Sequence, residues 1–156
     1  VLSYAMASAF RLTDMEKLDI LHAAFVADIG KQAIPYHLLN RRGGLTEGEF
    51  ELVKVHPVEG AKILRSMGYE NENMLRLVMH SHEKFNGGGY PDGLAGEQIP
   101  IGSRIIAVAD AYEAMTSWRP YREPWERHAA LDEIRRSIEK GLFDPKVVES
   151  LVKFMV

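Results

Sequence analysis

The chain has 156 residues, of which 46% are hydrophobic and 26% are charged, a composition typical of one folded domain and not of a disordered segment. Its 19 Lys and Arg residues against 22 Asp and Glu residues give a formal charge of −3, which argues against broad affinity for DNA. Cysteine is absent, so disulfides, zinc–thiolate sites and thiol nucleophiles are excluded. Any metal ion must therefore be bound by His, Asp or Glu side chains. No apolar run is long enough to cross a bilayer.

The first residues, from Val1 to Ala7, lack an initiator Met and already have the apolar spacing of a helix interior. They carry no basic segment, so they do not form a signal peptide. We interpret 1–156 as a single domain and expect it to be a fragment of a longer protein that lacks its upstream region.

Apolar residues recur at helical spacing along the chain, and strict alternation over the length of a strand is rare. Asp14 is predicted to cap the first long helix, which runs toward Asp28 and is ended by Gly30. A short helical turn is predicted around 36–40. The residues of the long helix that are expected to face the core are Leu18, Leu21, Ala24 and Phe25.

The central part of the chain predicts two further helices. Thr46, with Glu49 three residues later, forms a capping box that begins a helix of about five turns. Gly68 ends this helix, and 70–82 is predicted to form the next one. The residues expected along one face of the five-turn helix are Val53, His56, Gly60 and Ile63.

The segment 85–100 contains five Gly and two Pro residues, which predicts an irregular loop. A buried apolar helix is predicted over 101–117 and an amphipathic one over 126–140. A last helix is predicted to begin at Asp144-Pro145. The sequence therefore predicts an all-α fold, a helical bundle of about seven helices.

Four places in the chain offer metal-binding side chains near the ends or inner faces of predicted helices. They are Asp28, His56, 80–83 and Asp110. Carboxylates and imidazoles from different helices can converge on one cation in the core of a bundle. The sequence therefore indicates a metal site built from several helices.

Asp110 follows the apolar stretch 105–109, where a buried ionised carboxylate is costly unless it is paired or coordinated. We interpret it as a metal ligand. The alternative is that it accepts backbone N–H groups or forms an ion pair with Arg104 or Arg119.

The histidines have two interpretations each. His56 is either a metal ligand or a core histidine whose hydrogen bonds are satisfied, and the sequence leaves both open. His80 and His82 lie two residues apart at a predicted helix end, so at most one of them is expected to enter a shared site. Three others are expected at the surface: His22, His37 and His128.

The glycine-rich loop has a chemistry of its own. The backbone amides of Gly87, Gly88 and Gly89 can approach a ligand closely and form an anion-binding nest, and Tyr90 can stack on a base. The alternative is a plain connector. Further along, Arg119 and Arg122 can bind a phosphate through two N–H groups each, or they can form a solvated turn that pairs with Glu123 and Glu126.

These segments share one order with a known family. They are Asp-Ile-Gly-Lys at 28–31, His56, His-Glu at 82–83, Asn-Gly-Gly-Gly-Tyr-Pro at 86–91, Val-Ala-Asp at 108–110 and Arg-Pro-Tyr-Arg at 119–122. In order and spacing, from about residue 4 to Pro145, the chain resembles the HD-GYP family. The resemblance implies an all-α HD-domain fold and a metal-dependent phosphodiesterase of bacterial cyclic dinucleotides, chiefly cyclic di-GMP.

The resemblance also implies a divalent metal, Fe or Mn, and a cytoplasmic signalling role. A diguanylate cyclase domain is the implied partner of the Gly-Tyr-Pro loop. The implied metal ligands are Asp28, His56, His82 and Asp110, and the implied catalytic residues are Asp28 and Lys31. The implied substrate contacts are Lys31, Gly87, Gly88, Gly89, Tyr90, Arg119 and Arg122.

The chain departs from the family pattern at several positions. Ala27 replaces the His of the His-Asp pair, Ser81 replaces one of two adjacent His residues, and a further family ligand lies upstream of this chain. His80 could replace the lost imidazole in part, but a one-residue offset on a helix rotates a side chain by about 100°. Asn86 stands where Asp is usual, and Trp118 stands where a small acidic residue is common, so a large ring borders the expected pocket.

Three functions remain in view. We favour a degenerate HD-GYP domain that binds or regulates, with weak or no phosphodiesterase activity, because the loss of two imidazoles argues against a full multinuclear centre. The alternative is an active phosphodiesterase with a reduced metal centre that hydrolyses cyclic di-GMP to pGpG or GMP. The third is a scaffold that docks a diguanylate cyclase domain through the loop.

Overall fold

The computed structural model describes residues 1–41, 43–118 and 123–155. The fold is all-α, as predicted, with no β-strand in those ranges. The helices are α1 (Leu2–Ala7), α2 (Asp14–Val26), α3 (Tyr36–Leu39), α4 (Glu47–Val53), α5 (His56–Ser66), α6 (Glu72–Met79), α7 (Ile101–Thr116), α8 (Arg127–Glu139) and α9 (Pro145–Met155). Short 3₁₀ turns cover Ile29–Ala33 and Gly96–Gln98.

Of two predicted helix starts, one is confirmed and the other differs by one residue. Thr46 and Glu49 form the predicted capping box, in which each residue's side chain accepts the other's backbone N–H. At α2 the same reciprocal pair is Thr13 and Glu16, so Thr13 is the N-cap where Asp14 was predicted. Asp14 is the first residue of the helix, where its negative charge interacts favourably with the helix dipole.

The five-turn helix predicted after Thr46 is divided. Helix α4 ends at Val53, and α5 begins at His56 after two turn residues, Lys54 and Val55. Pro57 lies in the first turn of α5, where its missing N–H costs nothing. The break sets His56 at the start of a new helix, facing inward.

The hydrophobic core is built around α7. Buried side chains from α1, α2, α5, α6, α8 and α9 pack with those of α7 into one cluster. The residues of α7 in the cluster include Ile105, Ile106, Val108, Ala109 and Tyr112. The expectation of a buried apolar helix over 101–117 is thereby confirmed.

The buried face of α2 differs from the predicted one. Asp19, Ile20 and Ala23 are buried, whereas Leu18 and Phe25 are exposed, Phe25 to 91%. The prediction that Leu18 and Phe25 face the core was wrong, because α2 turns the side of Ile20 and Ala23 to the core, and a polar contact adjoins them on this face. The carboxylate of Asp19 accepts hydrogen bonds of 2.7 Å from the side-chain amides of Asn71 and Asn73.

Gly30 brings two segments into close contact. The prediction that Gly30 ends α2 was wrong, because the helix already ends at Val26. Gly30 lies buried in the 3₁₀ turn that follows. A Cβ atom at Gly30 would lie 1.8 Å from the His56 backbone oxygen and 2.5 Å from the Gly60 backbone nitrogen. Only glycine allows the turn to pack this closely on the start of α5.

Among the described residues, none of the helices combines the length and the apolarity that a membrane span requires.

We expect Gly30→Ala to lower the free energy of unfolding by about 3 kcal/mol, because the added methyl group meets backbone atoms that cannot move aside. Urea denaturation followed by circular dichroism measures the change. The matched control is Gly48→Ala in α4, where a Cβ meets no atom within 4 Å; it should be neutral or stabilising by at most about 1 kcal/mol. Equal unfolding midpoints for both variants would contradict the close-packing argument.

Candidate metal centre

Asp28 lies where α2 gives way to the 3₁₀ turn Ile29–Ala33. Its Oδ2 accepts a 2.6 Å hydrogen bond from the Nζ of Lys31. Both side chains are substantially exposed, 58% for Asp28 and 41% for Lys31, so this ion pair contributes little to stability and can open readily.

His56 is held rigidly at the first position of α5. Its side chain is 2% exposed, and its Nδ1 lies 2.8 Å from the backbone oxygen of Val53. A carbonyl oxygen only accepts, so Nδ1 carries the proton and donates. The lone pair of the ring is therefore on Nε2, which is buried and has no hydrogen-bond partner. The Nε2 atom lies 4.0 Å from Oδ1 of Asp28.

His82 completes a cluster with these two residues. It follows α6 in a turn, and its ring packs edge-on against that of His56, with centroids 4.7 Å apart and planes at 75°. One ligand atom from each of Asp28, His56 and His82 lies within 4.8 Å of the others. The structure thus brings together three of the four predicted metal ligands.

Burial keeps both imidazoles neutral. It lowers the pKa of His56 below its ordinary value, and burial together with the neighbouring His56 lowers the pKa of His82 to about 4. Neutral imidazole is the form that binds metal ions, so no proton has to leave at neutral pH before a metal binds.

The donor set fits a cation. A buried nitrogen lone pair and a carboxylate oxygen both carry negative charge density, so neither can satisfy the other at 4.0 Å. A divalent cation bound by the imidazoles of His56 and His82 and the carboxylate of Asp28 would satisfy all three. Mixed nitrogen and oxygen ligands suit metals such as Fe and Mn.

Asp110 is placed differently from the sequence prediction. It is exposed on α7, because that helix turns Val108 and Ala109 to the core and Asp110 to a cavity. Asp110 is therefore not a buried charge, contrary to the prediction. Asp110 nonetheless lines the same cavity of about 780 Å³ as Asp28 and His82, and its charge acts to raise the pKa of His56 against the larger effect of burial. It is not part of the three-residue cluster, and its role as a ligand stays a prediction.

Two positions at which the family resemblance implies imidazoles line this same cavity. Ala27 is half-buried and Ser81 is buried, and both border the cavity beside Asp28 and His82. The Ser81 hydroxyl donates a 2.8 Å hydrogen bond to the backbone oxygen of Val78. Neither side chain supplies an imidazole to the site.

His80 is a structural residue, not a second imidazole of the site. It is 5% exposed, its Nδ1 lies 2.9 Å from the Arg76 backbone oxygen, and its Nε2 lies 2.9 Å from Oδ2 of Asp92. Of His80 and His82, only His82 joins the cluster, although both lie in the turn after α6 and not on the predicted helix. The surface positions predicted for His22, His37 and His128 are confirmed.

The glycine loop uses its own amides. The N–H of Gly87 donates to the Lys84 backbone oxygen at 2.8 Å, and the N–H of Gly88 donates to Oδ1 of Asn86 at 2.9 Å. An open anion-binding nest at these two residues is therefore not formed. A Cβ atom at Gly89 would lie 2.3 Å from the Lys84 nitrogen, so this glycine permits tight folding of the loop. The roles of these glycines as substrate contacts stay predictions.

Tyr90 is the loop residue that reaches the cluster. Its ring stacks on His82 with centroids 5.2 Å apart and planes at 8°. Burial, reinforced by Asp28 and Asp110, raises the pKa of Tyr90 to about 12, so the phenol keeps its proton. The ring of Phe50, which was not among the predicted site residues, packs edge-on against Tyr90 with ring centroids 6.2 Å apart.

The loop is anchored by Glu83 and Asn86, for which the sequence did not predict an anchoring role. Oε1 of Glu83, a buried side chain, accepts a 2.8 Å hydrogen bond from the Asp92 backbone nitrogen. Asn86 donates from Nδ2 to the Lys140 backbone oxygen at 3.0 Å, a bond that an Asp at this position cannot make. The sequence feature that could have indicated this anchoring is a charged or amide residue on each side of the three glycines. The predicted contacts Arg119 and Arg122 lie outside the described residues.

Comparison with known proteins identifies relatives. Residues 2–147 match the family model described as HD domain. The chain is 41% identical over 153 residues to a cyclic di-GMP phosphodiesterase of Pseudomonas aeruginosa and 40% identical over 152 residues to the cyclic di-GMP phosphodiesterase response regulator RpfG of Xanthomonas campestris pv. campestris. These alignments cover 97% and 95% of this chain but 36% and 39% of the relatives. The chain therefore spans less than two fifths of their length.

Solved structures share the fold. An HDG"Y"P protein from Bdellovibrio bacteriovorus superposes with a TM-score of 0.77 at 20% identity, covering 99% of this chain and 49% of that one. The HD domain of the L. monocytogenes phosphodiesterase PgpH, in complex with cyclic-di-AMP, gives a TM-score of 0.67 at 19% identity and covers 99% and 84%. At these identities the likeness shows the helical fold alone.

We expect His80→Phe, which keeps the ring volume but loses both hydrogen bonds, to loosen the loop that carries Tyr90. Amide hydrogen exchange measured by mass spectrometry should become faster over 86–92, consistent with a local loss of about 1–3 kcal/mol. His128→Phe, at an exposed position, is the control and should leave that segment unchanged. Unchanged exchange in His80→Phe would show that the Asp92 contact does not hold the loop.

Proposed function

The chain belongs to the HD-domain family, and from this we propose that it binds cyclic di-GMP as a regulatory domain with weak or no phosphodiesterase activity. The observation that carries the proposal is the composition of one cavity. Asp28 and His82 line it, and Ala27 and Ser81 occupy positions where the family resemblance implies imidazoles.

Support for the remaining metal site comes from the geometry of its three donors. Asp28, His56 and His82 together can hold one divalent cation, Fe or Mn by resemblance, and leave further coordination positions open. Such a cation supplies the Lewis acidity that phosphodiester hydrolysis requires. The HD-GYP pattern implies two or three metals, and two missing imidazoles leave too few donors for them.

The residues around the cluster have separable roles in binding. Lys31 can release Asp28, since both are exposed, and contact a phosphate of the dinucleotide. His56 and His82 stay neutral and orient the cluster, and Tyr90 covers His82 from the loop side. Without a second cation the leaving oxygen is not stabilised, so turnover should fall by orders of magnitude.

A second candidate is favoured by the same cluster. Because Asp28, His56 and His82 do converge, an active phosphodiesterase with a reduced centre is the alternative. It would use Asp28 as ligand and Lys31 as phosphate contact, and would release pGpG or GMP. Docking of a diguanylate cyclase domain to the Gly-Tyr-Pro loop stays a prediction, and so does a cytoplasmic location.

We predict that the purified protein binds at most one Mn²⁺ per chain. Isothermal titration calorimetry of metal-free protein gives the stoichiometry, and elemental analysis checks it. Asp28→Asn and His82→Gln should each weaken Mn²⁺ binding by at least about 10–100-fold, the range found even for supporting residues. His128→Gln serves as the control and should bind as the unmodified chain does. Binding unaffected by both site variants would reject the three-residue centre.

Hydrolysis of cyclic di-GMP in the presence of Mn²⁺ or Fe²⁺ should be slower than about 1 s⁻¹, the lower end for typical enzymes. Ala27→His should raise metal affinity and turnover, because position 27 borders the cavity and is half-buried. Turnover at or above about 1 s⁻¹ by the unmodified chain would favour the active enzyme instead. Asp28→Ala then separates the two, since an unchanged rate would eliminate this site as the source of hydrolysis.

A further inference from the structure

Two large aromatic side chains border the cavity while remaining exposed. Phe25 is 91% exposed and Trp118 is 68% exposed, and both line the cavity that contains Asp28 and His82. Exposed apolar surface that is rimmed by polar groups can mark a ligand-binding groove. These two rings have no part in the metal cluster.

The two rings come from different elements. Phe25 lies on α2, whose buried face is formed by Asp19, Ile20 and Ala23, so its ring is directed away from the core. Trp118 follows Ser117, the residue that caps the end of α7. Helices α2 and α7 pack against each other, so each contributes one aromatic ring to the same cavity.

The chemistry of the cavity is divided. Asp28, His82 and Asp110 give it a polar region that suits a cation and a phosphate. Leu21, Ala24 and Ile106 give it an apolar region beside the aromatic rings. Its volume of about 780 Å³ lies within the range of ligand sites, roughly 300–1,000 Å³. A ligand that fits has an anionic centre and flat apolar parts.

We propose that Phe25 and Trp118 are base-stacking positions that bind the two bases of a cyclic dinucleotide while its phosphates lie at the polar region. This inference rests on the proposed function and deepens it, because it assigns residues to base recognition. Stacking on an aromatic ring accepts any base, so the two positions supply affinity and not base identity. Loss of one stacked base should weaken binding about five-fold to one-hundred-fold.

The other tryptophan provides a matched control. Trp125 donates its backbone N–H to Met115 at 2.9 Å and lines a separate cavity, beside Arg127 and Phe154. Trp125→Phe should therefore leave cyclic di-GMP affinity unchanged. It also leaves Trp118 as the single fluorescent tryptophan of the chain, since the sequence contains two.

The test titrates the Trp125→Phe protein with cyclic di-GMP in Mn²⁺ and follows both Trp118 fluorescence and calorimetric heat. We expect saturable quenching with the affinity that calorimetry gives. In the same background, Trp118→Ala and Phe25→Ala should each weaken binding at least five-fold. Trp118→Phe and Phe25→Tyr keep a ring and should recover most of the affinity. Circular dichroism verifies that every variant is folded, and both positions are exposed enough to tolerate change.

The outcomes separate this inference from the function on which it rests. If the parent protein binds and the alanine variants bind equally well, stacking is overturned and the proposed function stands. If the ring-retaining variants lose as much affinity as the alanine variants, stacking is likewise overturned. If the parent protein does not bind cyclic di-GMP, both the proposed function and the stacking positions are rejected.

Discussion

A buried lone pair that faces a carboxylate is the constraint on which the site depends. His56 donates from Nδ1 to Val53, which fixes the acceptor nitrogen Nε2 toward Asp28 at 4.0 Å. Two hydrogen-bond acceptors at this distance cannot form a hydrogen bond with each other. Nε2 is also buried, and among the described residues it has no hydrogen-bond donor. The close approach at Gly30 enforces this arrangement, because it presses the segment carrying Asp28 onto the start of α5. The fold therefore holds two acceptor groups, Nε2 of His56 and the carboxylate of Asp28, in a position where a cation can bind both.

The same geometry limits what the site can do. One aspartate and two neutral imidazoles provide three donors, enough for one cation with open positions. The residues bordering the cavity at 27 and 81 are Ala and Ser, and neither extends the donor set with an imidazole. Lys31 brings one positive charge next to Asp28, to which its ammonium group donates a hydrogen bond of 2.6 Å. The proposal of a binding domain with little turnover rests on this count of donors, because rapid hydrolysis needs charge on both the attacking and the leaving oxygen.

Much of the fold could be predicted from the sequence, because its signals are local. The pair Thr46 and Glu49 predicts the start of a helix from a segment of only four residues. The glycines and prolines of 85–100 predict an irregular loop, whatever the tertiary position of that segment. The buried face of α2 could not be predicted, since its pairing with α6 depends on Asp19 meeting Asn71 and Asn73, more than fifty residues away in sequence. Hydrophobicity alone selected Phe25, which the structure places at the surface.

The site shows the same division. Residue type selected Asp28 and His56 as candidates, the family resemblance selected His82, and the structure brings the three together. The burial predicted for Asp110 was wrong, because an apolar stretch on one helix does not determine which face of that helix borders a cavity. His80 was separated from His82 correctly, but the partner that satisfies it, Asp92, comes from the loop and has no sequence signature. Its contacts exist only once the loop is folded.

The claim that one cation is held by Asp28, His56 and His82 is tested most directly by electron paramagnetic resonance of the Mn²⁺-loaded protein. A single ion at these three residues should give the spectrum of an isolated, mononuclear Mn²⁺ ion. Pulsed measurements should resolve couplings to two imidazole nitrogens, one of which disappears in His82→Gln. A spectrum of exchange-coupled manganese ions, with more than one ion per chain, would contradict the account.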